Sequence, residues 1–141
     1  MTSAGPRTRT EAATVLVIDD ERGPREALRL ILQRDYHVLV ADSGEQGLEI
    51  IRSEPVDVVT LDLKMPGLAG QNTLSLIREI DSTLEVIVVT GYGSFESAVK
   101  ALRLRAFDYI SKPFDSRRIL DVVERAIERR RRGNDPAARA A

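Results

Sequence analysis

Five short apolar runs alternate with five longer segments of helical periodicity along this chain, and that alternation leaves few folds open. The pattern predicts a strand over Thr14–Asp19 with a helix over about Pro24–Arg34, and a strand over His37–Ala41 with a helix over about Glu45–Arg52. It continues with Val56–Leu61 and about Gln71–Ile80, then Glu85–Val89 and about Phe95–Arg103, then Phe107–Ile110 and about Ser116–Arg131. Local chemistry agrees. Pro24 falls in a first helical turn, where its missing N–H costs little. Ser43 or Gly44 can cap the second helix, and Pro55 stops it. The third and fourth runs are continuously apolar, as central strands covered on both faces must be. Five strand–helix repeats make a doubly wound α/β sandwich, a five-stranded parallel sheet with right-handed crossovers.

The rest of the chain bounds this unit. With 141 residues there is room for one domain with a real core. Residues 1–13, rich in Thr, Ala, Gly and Pro and without periodicity, read as a disordered extension. The folded domain is expected over 14–131, and 132–141 reads as a tail or truncated linker. Twenty-one basic residues balance 22 acidic ones, for a net charge of -1, which argues against direct nucleic-acid binding. With no Cys there is no disulfide or thiolate site, and His37 is the only imidazole. No apolar run approaches the ~20 residues that span a bilayer, and residues 1–14 lack a signal-peptide stretch. A cytoplasmic protein without membrane contact is the expectation.

In a parallel sheet, residues that follow strand ends collect along one edge, where α/β proteins bind ligands. Here the first strand runs into Asp19 and Asp20, the third into Asp62, the fourth into Thr90, and the fifth into Lys112 and Pro113. Three crowded carboxylates are unfavourable unless a cation sits among them. An all-oxygen donor set favours a hard ion such as Mg²⁺ over zinc. Asp62, past the central strand, is the best placed nucleophile, and a carboxylate that attacks phosphorus gives an aspartyl phosphate. Lys112 adds positive charge and Thr90 a hydroxyl, which suits a transfer that depends on positioning and neutralisation. Gly91 leaves space for a donor. Each signal alone is weak, since Asp or Thr after a strand is a common turn former or cap. Their joint appearance along one edge carries the reading.

The chain resembles the receiver domains of two-component response regulators. The matching stretches are Val17-Ile18-Asp19-Asp20-Glu21, Leu61-Asp62-Leu63-Lys64-Met65-Pro66-Gly67, Val89-Thr90-Gly91-Tyr92-Gly93 and Phe107-Asp108-Tyr109-Ile110-Ser111-Lys112-Pro113-Phe114. From Ala98 to Phe114 the wording is closest to receivers of nitrogen-regulation activators. The resemblance implies a flavodoxin-like sheet with strand order 2-1-3-4-5 and five helices. It implies Asp62 as phosphoacceptor, with Mg²⁺ held by Asp20, Asp62 and the Lys64 carbonyl, and by Asp19 largely through water. Thr90 would be the switch hydroxyl, Lys112 the phosphate-contacting lysine and Tyr109 the aromatic that changes rotamer. The implied partners are a sensor histidine kinase or phosphotransfer protein, and a second copy through the face of the fourth helix, fifth strand and fifth helix. Two positions depart from the pattern. Arg105 stands where such receivers carry a glycine, and Ala69 where they carry an aspartate.

Two rival functions differ in kind. A small phosphohydrolase with an aspartyl nucleophile needs a second Asp two residues on, where this chain has Lys64. An unphosphorylated receiver-like interaction module would have lost an acidic residue or the lysine, and none is lost. No turnover of an external substrate is expected, and phosphate should leave slowly, with Lys64 and Tyr92 tuning the approach of water. Helix surfaces offer further readings. Ala27, Leu28, Leu30, Ile31 and Leu32 spread around half of the first helix, which fits a covered helix and a kinase-docking patch about equally. In the fourth helix Phe95, Ala98, Val99 and Leu102 form the expected core stripe, with Ala101 and Leu104 off it. Arg129–Arg132 reads as a solvated face or the start of a signalling helix rather than a nucleic-acid contact. The chain is expected to be a single-domain regulator or a receiver cut from a longer protein.

Overall fold

The structure, a computed structural model, describes residues 13–65, 70–91 and 95–133, with the side chains of Gly70, Gln71 and Phe95 outside that set. The expectations for most of the amino-terminal extension, for Gly67, Ala69, Tyr92 and Gly93, for the Phe95 side chain and for residues 134–141 lie outside the described residues. The elements are β1 (Thr14–Ile18), α1 (Arg22–Leu32), β2 (His37–Ala41), α2 (Gly44–Ser53), β3 (Val58–Leu61), α3 (Gly70–Ile80), β4 (Glu85–Thr90), α4 (Phe95–Arg103), β5 (Asp108–Ser111) and α5 (Ser116–Gly133). All strand pairs are parallel and the order is β2-β1-β3-β4-β5, as expected. The register aligns Ile18 with Leu61 and Leu61 with Val88, so Asp19 and Asp62 leave neighbouring strands at the same level.

Alternation along the buried strands builds two cores. Val15, Val17, Val58, Ile87 and Val89 face α1 and α5, where Leu28, Leu32, Ile119, Val123 and Ile127 close over them. Leu16, Ile18, Val59, Leu61, Val86 and Val88 face the other side, against Leu48 of α2, Leu74 and Ile77 of α3, and Ala101 of α4. Ala13, assigned from the sequence to the extension, is fully buried, and its carbonyl accepts from the His37 N–H at 3.0 Å. β3 is two residues shorter than expected. Asp57 turns back to β1, its N–H on the Thr14 carbonyl at 2.9 Å and its carboxylate on the Thr14 N–H at 2.8 Å. Ser43 caps α2, accepting from the Gln46 N–H at 3.1 Å. Gly47 lets α2 lie directly on β1, since a Cβ there would fall 2.9 Å from Ile18 Cγ1.

Two surface expectations are corrected. On α4 the inward stripe is Ser97, Ala101 and Leu104, at i, i+4 and i+7, while Leu102 is 58 % exposed. The helix is rotated by about one residue from the stripe chosen on hydrophobicity, so that Ser97 and Ala101 rather than Ala98 and Leu102 turn inward. The arginine run is a solvated face only in part: Arg132 is exposed, whereas Arg129 and Arg130 also reach back to the domain. Arg129 grips the buried Glu85 carboxylate with two hydrogen bonds, at 2.6 and 2.7 Å, and lies 4.6 Å over the Phe107 ring. Arg130 donates to Thr83 Oγ1 at 2.8 Å and pairs with Asp81 and Asp57 at 3.5 and 3.7 Å. On α1, Leu28 and Leu32 are buried and Leu30 is exposed. His37 is exposed at the start of β2.

Arg105 settles its own departure. It has φ 63°, so an arginine holds the left-handed position that a glycine usually takes. The Ala106 N–H reaches the Ala101 carbonyl at 3.0 Å and the Arg105 N–H the Leu102 carbonyl at 2.9 Å, the paired bonds of a Schellman ending. Arg78 of α3 secures this turn, donating to the carbonyls of Leu104 at 2.8 Å and Arg105 at 3.0 Å, and to that of Leu84. The helix therefore ends, as it would with glycine, and is not extended.

Candidate functional site

The carboxyl ends of β1, β3, β4 and β5 bring Asp19, Asp20, Asp62, Thr90 and Lys112 together. One carboxylate oxygen from each of Asp19, Asp20 and Asp62 lies within 4.8 Å of the others. Asp19 and Asp62 are buried, as is Thr90. Asp62 is held on both oxygens. Oδ1 accepts from Thr90 Oγ1 at 2.6 Å and from the Lys64 N–H at 3.0 Å, and Oδ2 from Lys112 Nζ at 2.8 Å. Lys112 also pairs with Asp19 Oδ2 at 2.8 Å and with Glu21 at 3.2 Å. Asp19 in turn accepts from the Glu21 N–H at 2.9 Å, and its carbonyl accepts from Arg25 at 3.0 Å.

Each placement follows from local sequence. Asp19 and Asp62 continue strands whose last residues are paired in register, which forces their carboxylates side by side. Lys112 follows β5 directly, its N–H on the Thr90 carbonyl at 3.0 Å, and a cis peptide bond joins it to Pro113. Among the described residues, a Cβ at Gly91 would touch the stem of Lys112, at 3.8 Å.

The electrostatics are unbalanced. Burial raises the Asp19 carboxyl above its ordinary value although hydrogen bonds from Lys112 and Glu21 oppose it. Burial disfavours the Lys112 ammonium, but Asp19 and Asp62 outweigh that penalty and hold its pKa above the usual range. One ammonium thus faces three carboxylates. Asp20 Oδ1 is buried and has no hydrogen-bond partner among the described residues, a cost native proteins tolerate where a ligand completes the site. An orphaned carboxylate oxygen within an all-oxygen cluster fits a hard divalent cation.

Tyr109 of β5 sits apart from the acidic crevice. It is half-buried against the core, with its hydroxyl 3.4 Å from Ser97 Oγ on α4. Sequence reasoning missed Ser97 because it is polar on an inward face, and that exception was itself the available signal. It also left Glu21 without a role, although Glu21 stands directly beside the two aspartates in the motif.

The geometry defines an α/β domain with an acidic, lysine-bearing crevice at one sheet edge, the class to which signalling receivers belong. Residues 15–124 match the family described as response regulator receiver domain, and the chain belongs to that family. It is 43 % identical over 115 residues to the response regulator protein FleR of Pseudomonas aeruginosa, covering 81 % of this chain and 24 % of FleR. It is 34 % identical over 114 residues to sporulation initiation phosphotransferase F of Bacillus subtilis, covering 80 % of this chain and 92 % of that protein. A crystal structure of NtrX from Brucella abortus superposes with TM-score 0.80 at 34 % identity, covering 85 % of this chain and 28 % of that one. The NtrX likeness agrees with the expected kinship to nitrogen-regulation receivers. The chain spans about a quarter of the length of several of its curated relatives. Among the described residues no helix is long and apolar enough to cross a membrane.

Proposed function

We propose that this receiver accepts a phosphoryl group on Asp62 from the phosphohistidine of a sensor kinase or phosphotransfer protein. The observation that carries this reading is the double grip on Asp62, with Thr90 on one oxygen and Lys112 on the other. A carboxylate oxygen of Asp62 forms the new O–P bond as the P–N bond to the donor imidazole breaks, and the imidazole leaves with that electron pair. Lys112 is placed to follow the negative charge as it moves onto the phosphoryl oxygens, and Thr90 to donate to one of them. Asp19, Asp20, Asp62 and the Lys64 carbonyl would hold Mg²⁺, which supplies positive charge to the phosphoryl oxygens when bound. Phosphate is retained because Lys64, exposed two residues past Asp62, gives water no acid–base partner.

In this switch the phosphate draws the Thr90 hydroxyl to itself, which frees space for Tyr109 to fill. Thr90 already lies 2.6 Å from Asp62. Phosphorylation must therefore re-aim a hydroxyl already in place, and the change passes to Tyr109 and its Ser97 contact on α4. The response equals the difference in phosphate contacts between the two states of that face. Leu102, exposed on α4, is an apolar residue this face offers to a second copy.

The test is incubation with acetyl phosphate and Mg²⁺ followed by intact-protein mass spectrometry. Wild type should gain one phosphoryl group and Asp62→Asn none. Equal labelling of the two would overturn the assignment. Beryllofluoride should shift the amide resonances of α4 and β5 in wild type and fail to do so in Lys112→Ala.

A further inference from the structure

At the opposite edge of the sheet, where strands begin, a cavity of about 220 Å³ is lined by Arg78, Arg105, Arg129 and Arg130 with Thr83 and Glu85. Four guanidiniums meet one carboxylate on its walls. Glu85 is spent on Arg129, both oxygens taken. Arg130 is shared between Asp81 and Asp57. Among the described residues Arg78 makes no ion pair and donates to three carbonyl groups, which leaves two of its five N–H groups for another acceptor, although the charges of Glu85 and Asp81 act on it. The Arg105 side chain has no hydrogen-bond or ion-pair partner among the described residues, and its carbonyl accepts from Arg78, so the Arg78 head group lies beside the Arg105 backbone. Burial, followed by the charge of Arg105, pulls the Arg78 pKa down. Arg105 occupies a left-handed backbone position that disfavours any side chain. A strained arginine among the residues that line an arginine-rich cavity is a reason to look for a ligand.

We propose that this cavity is a binding site for a small phosphate-bearing anion, held chiefly by Arg78 and Arg105. Guanidinium is the side chain best matched to phosphate oxygens, since its planar fork can donate two parallel bonds. The volume falls below the ~300–1,000 Å³ of drug-sized ligand sites, which favours pyrophosphate or a short phosphorylated metabolite over a nucleotide. The site lies across the sheet from Asp62 and is independent of the phosphorylation reading, so its failure would leave that reading intact.

The probe is sodium pyrophosphate titrated into metal-free full-length chain at constant ionic strength, followed by amide-resolved NMR. Without a cation the Asp62 crevice is anionic and repels the probe. Saturable shifts are expected at Thr83, Leu84, Arg105 and Gly133. Arg105→Gly keeps the backbone conformation and removes the charge, and should weaken binding about tenfold, the loss of one charge-assisted hydrogen bond. Arg105→Lys should fall between. Inorganic phosphate and a sugar monophosphate, titrated in parallel, separate a two-phosphate requirement from general phosphate binding. Shifts that stay linear with concentration, that sodium chloride reproduces, or that Arg105→Gly leaves unchanged would overturn the site.

Discussion

The two edges of the sheet carry charge in opposite ways. At the carboxyl edge one ammonium serves three carboxylates, and an Asp20 oxygen is buried without a partner among the described residues. At the amino edge the buried Glu85 is fully met by Arg129, and Arg130 ties α5 to the segments before β3 and β4. The first edge is left wanting a ligand. The second uses most of its charge to fasten the last helix, with one guanidinium to spare at Arg105. The same chemistry thus stores instability at one edge and removes it at the other.

The largest stability effect is expected at the fastening. Glu85→Gln keeps the shape of the side chain but removes the charge beneath Arg129, whose side chain is 52 % exposed. Because Glu85 is only 8 % exposed, the loss should approach the lower end for broken buried pairs, about 2–3 kcal/mol after allowance for that exposure. Urea denaturation measures it. A loss under ~0.5 kcal/mol, the range of surface substitutions, would mean that the amino edge is not the fastening described.

The carboxyl edge should respond with the opposite sign. Asp20→Asn removes one of three crowded charges and should stabilise the metal-free protein by ~1 kcal/mol, the aqueous interaction of charges about 4 Å apart. Mg²⁺ should raise the wild-type melting temperature and raise that of the variant less. The raised Asp19 pKa adds a pH test. A group that binds its proton more tightly when folded contributes stability below its unfolded pKa, and loses it as pH rises through the folded value. Asp81, whose pKa is lowered despite burial by hydrogen bonds to Thr83 and by Arg130, works in the other direction. The informative quantity is therefore wild type minus Asp19→Asn in metal-free buffer. That difference should fall as pH rises above about 4, and a flat difference would refute the raised pKa.

The carboxyl edge was the more legible of the two, for a physical reason. Its residues follow strand ends, so sequence position alone delivers them to one place, and chain order predicts their neighbours. The amino edge is assembled from residues far apart in sequence, such as Arg129 with Glu85 and Arg78 with Leu104, and no local pattern announces such pairs. Arg129–Arg132 looked like a solvated face because i,i+4 charge spacing is the same whether a helix faces water or a buried glutamate. Asp121 and Arg125 form an i,i+4 pair of that kind, at 3.1 Å. On α4 the error had the same root. Hydrophobicity chose Val99 and Leu102, but the helix turns Ser97 and Ala101 inward. Strand order, by contrast, came from the family resemblance that these motifs carry, and the observed order agrees with it.

The smallest predicted effect decides whether the spare guanidinium belongs to the fastening or stands outside it. Relief of a left-handed non-glycine residue is worth about 1–2 kcal/mol, and the added freedom of glycine in the unfolded chain returns about 0.4–1 kcal/mol. Arg105→Gly should therefore stabilise the anion-free protein by about 0.5–1 kcal/mol, and urea denaturation beside Glu85→Gln gives the comparison directly. Stabilisation places Arg105 with the carboxyl-edge aspartates, as a residue kept at a cost to the fold. Destabilisation would instead join it to Arg129 and Arg130 as part of the clamp. The contrast between the edges would then be complete, with no charge left over at the amino side.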